Sequence, residues 1–313
     1  MTIRFLVTGG AGFIGSNIAE FLLKKGYKVR ILDNFSTGKL EHIKPFINKL
    51  EVVRGDIRKD RDLSKALKNV DYVLHQAALR SVPRSVDDPL STNEVNITGT
   101  LKLLMASKKA KVKRLVYASS SSVYGDAKTF PQNETHATAP VSPYATSKLA
   151  AENYCRVFSK TYGFETVSLR YFNVFGPRQD PESKYSAVIP IFMEAALNGK
   201  PMIIHGDGRQ SRDFTYIDNV VDANIKAALT GNVSGEVFNI ACNETHSVMD
   251  IARCVAVFTG KKPVISHTAP RKGDVRQTRA DISKAMRLLQ YRPLVSFEEG
   301  LEYTFQRFIN NNK

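Results

Sequence analysis

Tryptophan is missing from the 313-residue chain, and cysteine nearly so. Cys155, Cys242 and Cys254 stand far apart with no CxxC pair, which excludes a disulfide framework or a zinc knuckle. No apolar run approaches the ~18 residues that a membrane-spanning helix needs. Ile3 to Val7 is short and runs straight into glycines, unlike a secretory leader. The expectation is a cytoplasmic, reducing-compartment enzyme that does not enter a membrane. Internal repeats and low-complexity tracts are lacking as well. The hydrophobic share, 42%, and the charged share, 24%, are those of an ordinary globular protein. A chain of this size buries roughly 75% of its unfolded surface, so it needs no metal or disulfide staple.

Acidic residues are in deficit, 30 against 45 Lys and Arg, for a net charge of +15. The densest basic cluster is Lys108, Lys109, Lys111, Lys113 and Arg114. It follows the helical pattern of Leu101, Leu103, Leu104 and Met105, and cations at a helix C-terminus complement its dipole. No zinc-finger spacing or RNP-type aromatic pattern accompanies it, so nucleic acid is not an expected partner. An overall positive field suits an anionic small substrate.

The first half alternates short apolar runs with amphipathic stretches. Strands are predicted at 3–8, 28–33, 50–54, 72–75, 114–119 and 166–171, and helices at 13–25, 63–68, 90–107 and 144–162. This rhythm implies βαβ crossovers and an α/β, doubly wound parallel Rossmann sheet with helices on both faces. From about Asn173 the rhythm breaks into segments rich in Gly, Pro and charge, such as Gly206-Asp207-Gly208-Arg209. Residues 1–172 therefore read as a dinucleotide-binding domain. Residues 173–313 read as a smaller, interleaved substrate-binding α/β region, with some segments returning to the sheet.

Thr8-Gly9-Gly10-Ala11-Gly12-Phe13-Ile14-Gly15 lies between the first strand and the first helix. Glycines at this spacing allow a tight turn, close approach to a pyrophosphate and helix–strand packing. The helix N-terminus then offers N–H groups to the anion. Asp33 ends the second strand, where a carboxylate binds the adenine-ribose hydroxyls and repels a 2′-phosphate, which favours NAD over NADP.

Two Tyr-x-x-x-Lys pairs occur, Tyr124/Lys128 and Tyr144/Lys148, so the spacing alone distinguishes nothing. Tyr124 runs into Gly125-Asp126, a loop signature, whereas Tyr144 follows Ser142-Pro143, an N-cap and first-turn proline. On a helix Lys148 shares a face with Tyr144. Its ammonium and a cationic nicotinamide would both favour the phenolate, giving a base for a sugar hydroxyl. Bringing a phenol from about 10 to near 7 takes roughly 4 kcal/mol. Ser120, within the Ser119–Ser122 run, could bond the same hydroxyl, although four serines are also an ordinary polar strand ending.

Ten segments spread along nearly the whole chain carry a resemblance: TGGAGFIGS, LDNFSTG, GDIRKD, HQAALRSVPRS, NEVNITGT, YASSSSVYGD, SPYATSKLAAE, RYFNVFGPRQ, GDGRQSRDFTYIDN and RKGDVRQTRADISKA. The chain resembles the extended short-chain dehydrogenase/reductases, and within them the UDP-hexose 4-epimerases acting on UDP-N-acetylglucosamine or UDP-glucose. That resemblance implies catalytic Ser120, Tyr144 and Lys148. It implies NAD contacts at Gly9, Gly12, Phe13, Ile14, Gly15, Asp33, Asn34, Asp56, Ile57, Ala77, Ala78, Asn96, Tyr144 and Lys148. It further implies UDP-sugar contacts at Ser120, Ser122, Asn173, Val188, Arg212, Arg271, Asp274 and Thr278. Guanidinium groups such as Arg212 and Arg271 suit a diphosphate.

The related 4,6-dehydratases and UDP-glucuronate decarboxylases carry an acidic residue in the segment matching Ser120–Ser122. Only serines stand here, so elimination is disfavoured against a redox cycle at C4. Those reactions, a UDP-glucuronate 4-epimerase and a non-catalytic NAD-binding redox sensor are the alternatives. Epimerases restricted to plain hexoses have a tyrosine at the position of Thr278. The smaller side chain leaves room for a 2-acetamido group, which predicts UDP-GlcNAc/UDP-GalNAc interconversion beside UDP-Glc/UDP-Gal. The resemblance also implies a homodimer paired through the helices near 90–107 and 144–162, although their apolar faces are equally explained by packing on the sheet.

Overall fold

The computed structural model describes residues 2–180, 188–260, 264–269 and 276–311. Six strands appear where the apolar runs place them: β1 Arg4–Thr8, β2 Lys28–Asp33, β3 Glu51–Arg54, β4 Tyr72–His75, β5 Arg114–Ser120 and β6 Glu165–Tyr171. Most of their residues are buried, as strands covered on both faces must be. Phe5, Leu6 and Val7 have no exposed surface at all, each stabilising the fold by about 1.5–3 kcal/mol. A seventh strand, Val237–Ile240, comes from the C-terminal half and pairs in parallel with β6. The order is Val237–Ile240, β6, β5, β4, β1, β2, β3, all parallel.

Chain order reverses between β1 and β4. A crevice opens beyond the carboxyl ends of the strands at such a switch point, which is where ligands bind in open α/β sheets. Thr8 of β1 pairs with Leu32 and with His75, so the glycine turn, the end of β2 and the loop after β4 converge there.

The helix Phe13–Lys24 buries Phe13, Ile18, Ala19 and Leu22 on one side. The helix Pro143–Tyr162 starts as expected: Ser142 Oγ accepts from Ala145 N (3.1 Å), and Pro143 occupies the first turn. It ends at Gly163, which takes the left-handed conformation (φ 63°) that closes a helix. The single helix predicted over 90–107 is instead three pieces. Pro89–Asn93 leads into a wide π-type turn, Glu94–Gly99, and then Thr100–Lys109. The extra residue in that turn accompanies a side chain held elsewhere: Asn96 bonds the loop after β4. The helix predicted at 63–68 begins earlier, at Asp60–Ala66, with two carboxylates at its positive end.

Beyond residue 173 the chain forms Val188–Leu197, a parallel pair of Met202–His205 with Ile265–Thr268, and the helices Val248–Thr259 and Phe297–Asn311. The helix Ile217–Leu229 lies against the sheet and the Phe13–Lys24 helix.

Candidate active site

Gly9 adopts φ 66°, and a Cβ there would stand 2.8 Å from Ala77 N. A Cβ on Gly15 would fall 2.2 Å from Gly9 O, so helix and turn touch backbone to backbone. The Phe13–Lys24 helix has no side-chain cap and no acid in its first turn. Its leading N–H groups and positive dipole end are thus left for an anion. Asp33 closes the groove opposite. Its carboxylate accepts from Ala11 N (2.9 Å) and Phe35 N (2.8 Å), fixing it beside the turn.

Gly9, Gly12, Phe13, Ile14, Gly15, Asp33, Asn34, Asp56, Ile57, Ala77, Ala78, Tyr144 and Lys148 line this one groove. Asn34 Nδ2 donates to Asp56 Oδ2 (3.1 Å), while Arg58 grips the same carboxylate through Nε and Nη2 (3.0 and 2.8 Å). The Arg58 contact holds the Asp56 carboxyl well below the usual carboxylate range. Asn96 is not in the lining but works from behind it. Its Oδ1 accepts from Leu79 N (2.8 Å) and its Nδ2 donates to Leu79 O (3.0 Å) and Ser147 Oγ (2.9 Å).

A buried histidine completes the support. Thr100 Oγ1 spends its proton on Asn96 O (2.7 Å), so it accepts from His75 Nε2 (2.9 Å). His75 Nδ1 then accepts from Thr8 Oγ1 (2.7 Å), which in turn accepts from Ala77 N (3.3 Å). The chain of bonds needs a neutral ring, and burial lowers the His75 pKa to about 3, helped by the charge of Lys148. Nothing in the histidine's residue type distinguishes this role, although its place at the end of β4 was a usable signal.

Tyr144 lines both the dinucleotide groove and a second cavity. That cavity also contains Ser120, Ser122, Gln132, Asn173 and Thr278 in its wall. Ser122 donates through N (3.2 Å) and Oγ (2.9 Å) to Ser120 Oγ, fixing that hydroxyl. Lys148 is buried, its Nζ donating to Ala118 O (2.9 Å) and lying 5.9 Å from the Tyr144 ring centre. Burial lowers its pKa to about 8. The phenol of Tyr144 departs from the sequence expectation. Desolvation raises its pKa above the ordinary value, outweighing the pull of Ser120 and Arg80. Work as a base would need more positive charge beside the phenol than the protein alone places there, which a cationic nicotinamide would add to that of Lys148.

Tyr124 is a core residue. It is buried, its hydroxyl donates to Asn239 Oδ1 (2.7 Å), and Lys128 is exposed. Burial pushes its pKa up to about 12.

Asn173 Nδ2 donates to Asp213 O (3.1 Å) and Thr278 Oγ1 (3.2 Å), and Thr278 N donates to Ser211 O (3.2 Å). Arg212 Nη1 donates to Ser211 O (2.8 Å). Asp213, which the sequence reading passed over, ties these segments together by accepting from Cys242 N (2.9 Å) and Ala280 N (3.1 Å). Its carboxylate has no exposed surface, and burial raises its pKa to about 7. Val188 opens the Val188–Leu197 helix, half-buried, and lines neither space. Arg271 and Asp274 lie outside the described residues.

The groove's open helix end, its Asp33 carboxylate and the adjoining phenol suit a nicotinamide dinucleotide, and relatives agree. The family model for the NAD dependent epimerase/dehydratase family matches residues 5–241. UDP-glucose 4-epimerase of Mycolicibacterium smegmatis is 37% identical over 316 residues, covering 99% of this chain and 100% of that protein. The structure of UDP-N-acetylglucosamine 4-epimerase from Methanobrevibacter ruminantium superposes with a TM-score of 0.94 at 41% identity, covering 99% of this chain and 100% of the other. UDP-glucuronic acid 4-epimerase from Bacillus cereus, solved with its substrate and NAD, gives 0.91 at 38%, with coverage of 99% and 100%. The chain belongs to the NAD dependent epimerase/dehydratase family and, like its epimerase relatives, is an NAD-using enzyme of the isomerase class.

Proposed function

We propose that this protein inverts C4 of UDP-hexoses, interconverting UDP-GlcNAc with UDP-GalNAc and also UDP-Glc with UDP-Gal. One observation carries the reading: Tyr144 lies in the wall shared by the dinucleotide groove and the Ser120–Asn173–Thr278 cavity. A phenol at that junction reaches a sugar hydroxyl while facing the cofactor. NAD, held by the glycine turn, Asp33 and the loop that Asn96 anchors, would supply an acceptor for the hydrogen leaving C4 and a donor that returns it. Tyr144 takes the O4 proton as the carbinol becomes a ketone and gives it back when the ketone is reduced. Ser120, fixed by Ser122, orients the same oxygen. Lys148 adds positive charge beside the phenolate.

Arg212, Arg271, Asp274 and Val188 are assigned to the UDP moiety, whose binding energy holds the ring without fixing one face. Cavity-lining Ser119–Ser122 carries no carboxylate for an elimination, which supports epimerisation over dehydration or decarboxylation. Leu90, Met105 and Val157 are exposed on the helices Pro89–Asn93, Thr100–Lys109 and Pro143–Tyr162, which supports a homodimer built there. A cytoplasmic setting accords with three free cysteines and no helix long and apolar enough to cross a membrane among the described residues.

The test is incubation with a panel of UDP-sugars, UDP-glucuronate included, with products resolved by NMR. Both neutral pairs should be converted. Thr278→Tyr should cut the acetamido reaction at least about fivefold relative to the plain one, since overpacking costs about 1–3 kcal/mol. Conversion of UDP-glucuronate alone would overturn the substrate assignment. An unchanged ratio in Thr278→Tyr would remove that residue from it.

A further inference from the structure

Gln132 sits in the wall of the sugar cavity, and neither the glycine turn nor the Tyr144 constellation uses it. Its backbone is held on three sides. The N–H donates to Arg279 O (2.7 Å), and the carbonyl accepts from Asp281 N (2.8 Å) and from Asn239 Nδ2 (2.9 Å). A bridge to Ala280 lays it alongside the segment that carries Thr278. The residue is 2% exposed, yet its Oε1 is buried with no hydrogen-bond partner. A buried carbonyl oxygen left without a donor is costly, and an apolar side chain of the same length would avoid that cost.

The neighbouring polar groups are already engaged. Asn173 Nδ2 bonds Asp213 O and Thr278 Oγ1, and Ser122 Oγ bonds Ser120 Oγ. Gln132 therefore holds unspent hydrogen-bonding capacity at the place where a ring substituent would rest against Thr278. A primary carboxamide offers an acceptor and a donor in one plane. The unpartnered atom is the acceptor, so what it lacks is one donor: the N–H of a 2-acetamido group, whose own carbonyl lies trans and faces away, or the hydroxyl of the plain sugar.

Resting on the UDP-hexose reading above, we propose that Gln132 is a substrate-binding residue whose Oε1 accepts a hydrogen bond from the donor at C2 of the hexose, the N–H of a 2-acetamido group or the hydroxyl of the plain sugar. A ligand that leaves a buried acceptor unpaired gains nothing from it, so UDP alone should be indifferent to Gln132.

The experiment measures binding of UDP, UDP-Glc and UDP-GlcNAc by calorimetry to NAD-loaded Tyr144→Phe protein, with and without Gln132→Met. Thermal unfolding is recorded in parallel. The proposal expects UDP affinity to change less than about twofold and UDP-GlcNAc affinity to fall at least about tenfold, equivalent to ~1.4 kcal/mol. UDP-Glc should weaken as well, in contrast to UDP. Unfolding should occur no earlier than in the parent, because an unpaired amide has been removed. Gln132→Leu should behave alike, so one poorly folding variant does not decide the matter. Equal weakening of all three ligands with a lower unfolding temperature would assign Gln132 to structure and overturn the proposal. So would unchanged UDP-GlcNAc affinity. If the parent binds neither hexose more tightly than UDP, the UDP-hexose reading itself fails, and this proposal falls with it.

Discussion

Exchanging Tyr144 for phenylalanine keeps the ring and removes one oxygen, and the contrast with the same exchange at Tyr124 separates chemistry from packing. The Tyr144 side chain is half-buried and lines both the groove and the sugar cavity. Loss of its hydroxyl gives up the bond with Ser120, a net cost to the fold of about 0.5–1.5 kcal/mol. Turnover loses a general base and should fall about 10²–10⁴-fold. Tyr124 gives the reverse. Its hydroxyl donates 2.7 Å to Asn239 Oδ1, an oxygen buried in the core. Tyr124→Phe orphans that acceptor at a cost of about 1–3 kcal/mol, with turnover per folded molecule kept. Urea denaturation reads the stabilities, and NMR of the sugar products reads the rates. Near-normal turnover in Tyr144→Phe, or a large loss in Tyr124→Phe with unchanged stability, would refute the assignment. Desolvation predicts one more result. With no cofactor bound, the Tyr144 phenol should titrate above its ordinary value, and NAD should bring it down.

Two further perturbations probe the groove and the cavity wall. Replacing Asp33 with serine and Asn34 with arginine should improve NADP binding, because the carboxylate fixed by Ala11 and Phe35 repels a 2′-phosphate. Direct titration would refute the Asp33 role if the unaltered protein bound NADP as tightly as NAD. Asp213 makes stability depend on pH in a defined sense. Its folded pKa, about 7, lies above the ordinary 3.8, so the folded state binds the extra proton. Its contribution is full below about pH 4 and is lost as pH rises towards 7, by ~1.4 kcal/mol per unit. Asp213→Asn should flatten that slope in urea denaturation between those values, and an unaltered slope would contradict the burial argument.

Periodicity made the first six strands legible, because a parallel sheet covered on both faces demands near-continuous apolar runs such as Arg114–Ser120. Val237–Ile240 escaped notice. Four residues between turns carry no period, and only pairing with β6 makes them a strand. The broken helix at Glu94–Gly99 was hidden for a related reason, since it goes with a tertiary bond between Asn96 and Leu79. At the site, residue type and spacing brought Tyr144, Lys148 and Ser120 into view, and the N-cap Ser142 chose between the two Tyr-x-x-x-Lys pairs. The direction of the Tyr144 shift was not legible, because burial is a property of the whole fold. Gln132 and Asp213 gave no sign either. Their importance lies in what surrounds them: an empty acceptor in one case, two converging N–H groups in the other.

In a transient oxidation at C4, one hydrogen leaves and comes back. Incubating the purified protein, without added cofactor, with UDP-GlcNAc deuterated at C4 tests it most directly. UDP-GalNAc should form and retain the deuterium at C4, with the O4 proton exchanging freely through Tyr144. Epimer that has lost the label to water, or substrate that is never converted, would contradict it.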